Sequence, residues 1–180
     1  MNEGLIPRRY AKALYKVGEE RGCSERLYTL MCNLSGAYTA HPDIAKAIAN
    51  PFVSPADKSS LLATAAGATD RDTTFADFVK LLERNRRIDL AGEIALAYTR
   101  YYRAERNIRQ VTVTSAAPLG ADLLDRVKKV VEDHLHGASM EFRTDTDPAL
   151  IGGFTVSIDN ERLDASVERQ LKELRQSLLK

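Results

Sequence analysis

From Leu5 to about Arg106 the apolar residues recur every three or four positions, the spacing of a helix face repeated along the chain. Gly22, Pro42, Pro51, Pro55 and the stretch from Gly67 to Asp72 interrupt it. The pattern predicts helices over 6–21, 25–40, 42–49, 55–66, 73–85 and 88–105, several opened by Pro or by an Asp, Ser or Thr that can cap free amides. The period then changes. Val111-Thr112-Val113-Thr114, Met140-Glu141-Phe142 and Phe154-Thr155-Val156-Ser157-Ile158 alternate in the manner of strands. Between the first two lies a helix with Leu119, Leu123, Val127 and Val130 on one stripe. A last helix carries Val167, Leu171, Leu174 and Leu178, with Ser166 or Asp164 able to accept hydrogen bonds at its start. The expected fold class is α+β, a six-helix N-terminal bundle over 1–106 followed by a small C-terminal α/β domain over 107–180.

Two helices carry more apolar surface than one core needs. In the first, Ile6, Tyr10, Ala11, Ala13, Leu14, Tyr15, Val17 and Gly18 spread over roughly 200°, where about 100° suffices to bury one face. In the fifth, Phe75 to Leu82 covers about 220° and leaves a narrow wet strip at Asp77 and Lys80. Each of these helices is expected to touch two things. Both are central helices of their own bundle, or they form a groove for an amphipathic partner helix. On the second reading the small Ala11, Ala13 and Gly18 let a partner backbone come close.

Composition narrows the function classes. The chain holds 180 residues, 44% hydrophobic and 28% charged, which is ordinary for a globular protein of one or two domains. Its net charge is only +1, without the footprint of a general nucleic-acid binder. The halves differ little, 16 basic minus 13 acidic giving +3 through Arg106 and 10 minus 12 giving −2 afterwards. The longest stretch free of Asp, Glu, Lys and Arg, Leu27 to Pro42, is broken by Asn33, Ser35 and His41 and is too short to span a bilayer. No secretory signal is visible at the N-terminus, so the expected location is the cytoplasmic side of a bacterial cell.

Candidate chemistry is sparse. No phosphate-cradling loop and no dinucleotide turn occurs. Cys23 and Cys32 lack metal-ligand spacing and read as covered thiols. His41, His134 and His136 read as solvated or helix-end residues, Asp145 and Asp147 as flanking a turn before Pro148, and Gly152-Gly153 as a turn or bulge. No catalytic residue, cofactor or metal is assigned. The basic Arg84-Asn85-Arg86-Arg87 motivates an alternative, a helical RNA-binding adaptor, although cations at a helix C-terminus also simply complement its dipole.

Several motifs, in order and spacing, resemble one family. They are Arg9-Tyr10-Ala11-Lys12-Ala13-Leu14-Tyr15, Asn50-Pro51-Phe52 with Lys58 and Leu61-Leu62, and Phe75 to Leu82 followed by Asn85-Arg86-Arg87. To these are added Asp147-Pro148-Ala149-Leu150-Ile151-Gly152-Gly153-Phe154 and Leu163-Asp164-Ala165-Ser166. Together they resemble the delta subunit of bacterial F-type ATP synthases, whose mitochondrial counterpart is the oligomycin-sensitivity-conferring protein. The resemblance implies a non-catalytic connector in the stator, peripheral on the cytoplasmic face of the plasma membrane, without direct insertion and without nucleic acid. It implies that the first and fifth helices receive the N-terminal helix of an alpha subunit, and that the C-terminal domain engages the b subunits of the peripheral stalk. The expected partner-binding residues are Tyr10, Ala11, Ala13, Leu14 and Val17 on the first helix and Phe75, Phe78, Val79 and Leu82 on the fifth.

Overall fold

Helices form where the 3.6-residue pattern runs: α1 (Leu5–Glu20), α2 (Ser24–Ala40), α3 (Asp43–Ala49), α4 (Pro55–Ala66), α5 (Thr73–Arg84) and α6 (Ala91–Glu105). The computed structural model describes residues 4–135, 137–148, 150, 152–159, 161–167 and 169. The fourth helix shows why the bounds fall where they do. Ser54 Oγ accepts the Asp57 amide at 3.1 Å, Pro55 takes the first position, where no amide is needed, and Gly67 ends the helix at φ 68°. The sixth helix begins later than its periodicity predicts because Ile88–Leu90 form a tighter 3₁₀ turn.

The chain divides into two compact units, residues 1–104 and 105–180. In the first, Leu27, Leu30, Met31 and Leu34 of α2 share the core with Leu62, Phe75, Leu82, Ile94 and Tyr98, each no more than 2% exposed. Burying each such side chain contributes about 1.5–3 kcal/mol before the entropy of ordering is subtracted. Tyrosines join α1, α2 and α6. Tyr28 stacks on Tyr102 at 4.3 Å between centroids, and Tyr15 meets the Tyr101 ring edge-on at 5.3 Å. Burial pushes the Tyr98 phenol above its ordinary pKa, and its hydroxyl donates to the Ser24 carbonyl at 3.3 Å.

Asp72 precedes α5 but does not cap it. Its carboxylate accepts Arg26 Nε at 2.9 Å and Nη2 at 2.8 Å, and also the Thr69 amide at 2.8 Å and hydroxyl at 2.9 Å. The loop before α5 is thereby clamped to α2. The Arg26 hydrogen bonds hold Asp72 well below the usual carboxylate range, against the opposing effect of burial, with the Thr69 bonds adding to the depression. A carboxylate depressed on folding stabilises above its unfolded pKa of about 3.9 and loses that contribution as pH falls through its folded value. The melting temperature of the helical unit is therefore expected to fall as pH drops below about 4, and Asp72→Asn to flatten that acid limb at a cost of about 1–2 kcal/mol at neutral pH. Melting curves of both proteins across acidic pH check this.

The second unit is built from β1 (Ile108–Ser115), α7 (Ala121–His134), β2 (Ser139–Thr146), β3 (Gly153–Ile158) and β4 (Glu161–Ser166), the sheet order being β2-β1-β3-β4. The parallel pair β1–β2 is joined through α7, whereas β3 runs antiparallel to both β1 and β4. Register sets Val111 opposite Phe142 and Ile158, and Val113 opposite Val156. Val111, Val113 and Val156 pack with Val127 and Val131 of α7.

Three corrections follow. β4 was not among the three expected strands, and β2 runs through Thr146, so Asp145 lies in a strand; the turn is made by Asp147, whose carbonyl accepts the Leu150 amide at 3.1 Å. The buried stripe of α7 is Val127 and Val131, while Leu123 is 41% and Val130 68% exposed. Most of the expected last helix, with Leu171, Leu174 and Leu178, lies outside the described residues, as does His136. At its start, however, Ser166 Oγ accepts the Arg169 amide at 3.3 Å and Asp164 accepts the Ser166 amide at 3.0 Å. No helix among the described residues is long and apolar enough to cross a membrane.

Candidate functional site

The surplus arc of α1 resolves into two stripes, and that of α5 into a buried face and the exposed Leu81. On α1, Pro7, Ala11, Leu14 and Gly18 follow one another at steps of four, three and four and are all buried. One residue earlier in each step, about 100° around the helix, run Ile6, Tyr10, Ala13 and Val17. On α5, Phe75, Phe78, Val79 and Leu82 are buried, while Leu81 stands one residue off and is 47% exposed. The buried stripe of α1 and the buried face of α5 serve the domain core. The second stripe of α1 and Leu81 open outward.

Hydrogen bonds tie the two helices at both ends. Asn85 Nδ2, just past α5, donates to the Tyr10 hydroxyl at 2.9 Å. At the opposite end Arg21 Nη1, just past α1, donates to Thr74 Oγ1 at 3.2 Å and to Asp77 Oδ2 at 3.0 Å. These pairings make the helices antiparallel. Between the N-terminal half of α1 and the C-terminal end of α5 lies an open groove of about 510 Å³. Ile6, Arg9, Tyr10 and Ala13 form one bank, and Leu81, Asn85 and Arg87 the other. Ile6 is 38% exposed. An exposed Ile and Leu face each other across the cleft beside a small Ala, with Arg9, Asn85 and Arg87 on its banks, so the lining offers apolar contact and hydrogen-bond donors side by side.

The nine expected contact residues divide accordingly. Tyr10 and Ala13 line the groove, and Val17 continues their stripe in a half-buried position. Ala11, Leu14, Phe75, Phe78, Val79 and Leu82 are buried within the unit itself and do not line the groove. The small size of Gly18 also serves the interior, because a Cβ there would come within 3.2 Å of the Ser24 backbone. Ile6, Arg9, Leu81, Asn85 and Arg87 line the groove without having been chosen as contacts. Ile6 and Leu81 already stood in the apolar arcs, but an arc does not say which of its sides faces out.

A second apolar groove, of about 830 Å³, belongs to the C-terminal unit. Leu123, Val127 and Val130 of α7 face Phe154, Val156 and Leu163 across it. Leu163 is 65% exposed.

Comparison with known proteins covers nearly the whole chain. Residues 6–178 match the family model described as ATP synthase delta (OSCP) subunit. The chain belongs to this family. The ATP synthase subunit delta of Bacteroides thetaiotaomicron is 35% identical over 180 residues, covering 99% of this chain and 96% of that one. That of Parabacteroides distasonis is 35% identical over 182 residues, covering 99% and 98%. A chain in the Toxoplasma gondii mitochondrial ATP synthase hexamer shares the fold, with a TM-score of 0.70 at 19% identity over 98% of this chain and 99% of that one.

Proposed function

We propose that this chain is the non-catalytic stator connector of an F-type ATP synthase. It joins the alpha/beta catalytic head to the b subunits of the peripheral stalk, so that the head does not turn with the rotor and proton-driven rotation is coupled to ATP synthesis. Residues 1–106 take the head and residues 107–180 take the stalk, with the whole complex held at the cytoplasmic face of the bacterial plasma membrane. The observation that carries this reading is the groove between α1 and α5. A helix laid along it covers Ile6, Ala13 and Leu81, and the N-terminal helix of an alpha subunit is the occupant proposed. Family membership supports the connector role, since the curated relatives are themselves ATP synthase delta subunits.

Apolar surface covered on docking contributes about 25 cal/mol per Å², from which the ordering of the peptide is subtracted. Titration of the full-length protein with a peptide copied from the N-terminus of the cognate alpha subunit is expected to give saturable binding in the micromolar range or tighter. Isothermal calorimetry reads it directly. Absence of saturable heat across that range would overturn the assignment of this groove to the head.

A further inference from the structure

We infer that the helix accepted by the groove between α1 and α5 carries carboxylates on both sides of its apolar stripe, read by Arg9 on one bank and Arg87 on the other. The inference rests on the connector reading and adds the charge class of the partner. Among the described residues that line the groove there are two guanidinium groups and no carboxylate. Neither Arg9 nor Arg87 is engaged by a carboxylate of its own chain among the described residues. The nearest acids on α5 are already committed, Asp77 to Arg21 at 3.0 Å and Glu83 to the Ser59 hydroxyl at 3.4 Å.

A chain whose net charge is only +1 thus places two guanidinium groups on opposite banks of one cleft that also presents Ile6, Ala13 and Leu81. Such a cleft rejects a cationic amphipathic helix and favours an anionic one, because like charges on its banks are costly as the floor is desolvated. Arginine suits the task. Its planar fork donates two parallel hydrogen bonds to a carboxylate, and its stem can lie along an apolar floor while the head stays wet. A nucleic acid would use the cations but has no use for Ile6, Ala13 and Leu81, since a phosphate backbone offers nothing apolar to bury there.

Three designed peptides test this against the full-length protein. All share one aliphatic stripe, and their flanking positions carry Glu, Gln or Lys. The Glu peptide is expected to bind about tenfold tighter than the Gln peptide at about 0.1 M sodium chloride, with the Lys peptide weakest. The gap should narrow at about 1 M, where the screening length falls from about 10 Å to about 3 Å. Arg9→Gln and Arg87→Gln are each expected to weaken the Glu peptide about threefold and to leave the Gln peptide and the melting temperature unchanged. Equal affinity for all three peptides, insensitive to both substitutions, overturns the charge assignment and leaves the docking groove standing. Failure of every peptide, together with binding of a labelled RNA oligonucleotide that weakens steeply with salt, overturns both and makes the cleft a nucleic-acid site. Failure of every peptide and of the RNA overturns both as well.

Discussion

Ala11→Asp is expected to unfold the helical unit, while Ala13→Asp, two residues away on the same helix, is expected to leave it folded and abolish docking. Ala11 is 1% exposed, on the stripe that runs from Pro7 to Gly18 into the core. A carboxylate there has no partner and cannot reach water, a situation that costs about 3–5 kcal/mol, much of the roughly 5–15 kcal/mol that holds a domain together. Ala13 is exposed and lines the groove, so its substituent stays solvated in the free protein. Its melting temperature should stay within a few degrees of the parent. In the complex the same carboxylate is pressed against an apolar stripe, and affinity for the alpha-subunit peptide should fall tenfold or more. Circular dichroism melting and calorimetry on the two variants separate the effects. If Ala11→Asp melts like the parent, the inward stripe has been assigned to the wrong side of α1. If Ala13→Asp binds like the parent, the helix docks elsewhere.

That pair of substitutions marks where sequence stops speaking. The six helices were legible because their periodicity is long and Pro, Gly and Ser punctuate it, as at Ser54-Pro55 and Gly67. The apolar arcs of α1 and α5 were legible as a surplus. Which half of each arc turns inward was not, because it depends on the neighbours each helix meets, and periodicity describes one helix at a time. The same limit displaced the stripe of α7 from Val130 to Val131, adjacent residues of identical chemistry separated by about 100° of rotation. β4 was missed for a different reason. Glu161-Arg162-Leu163-Asp164-Ala165-Ser166 holds no β-branched or aromatic residue, and at the sheet edge it is held by the backbone ladder to β3, which propensity does not report. The Asp159 turn before it was equally silent in pattern. Its carboxylate takes the Gln110 amide at 3.1 Å and Arg109 Nη1 at 2.9 Å, fixing the hairpin to β1 across some fifty residues of chain.

Gly18→Val is expected to destabilise the helical unit by about 3 kcal/mol, and even Gly18→Ala to destabilise it, against the usual sign of that change. In a helix interior Gly is about 0.5–1 kcal/mol worse than Ala, so removing it ordinarily helps. At Gly18 a Cβ would sit 2.9 Å from Leu27 Cδ1 and 3.2 Å from the Ser24 backbone Cα. A leucine methyl could yield if it had somewhere to go. Leu27 is 2% exposed and closely surrounded, so it does not. Ser24 cannot move freely either, because its carbonyl accepts the buried Tyr98 hydroxyl at 3.3 Å and α2 begins at this residue. The clash therefore has to be relieved by pushing the start of α2 off the end of α1, which strains the tyrosine contacts between α1, α2 and α6. Gly18→Ala should cost about 1 kcal/mol after the helix gain is counted, and the β-branched Val more, since it adds two methyl groups in the same direction. Denaturant melts of both variants give the ranking. A Gly18→Ala protein more stable than the parent would show that α1 and α2 can separate at their joint without loss, and the packing that holds the inner stripe of α1 in place, and so aims its outer stripe at the groove, would have to come from α5 and α6 alone.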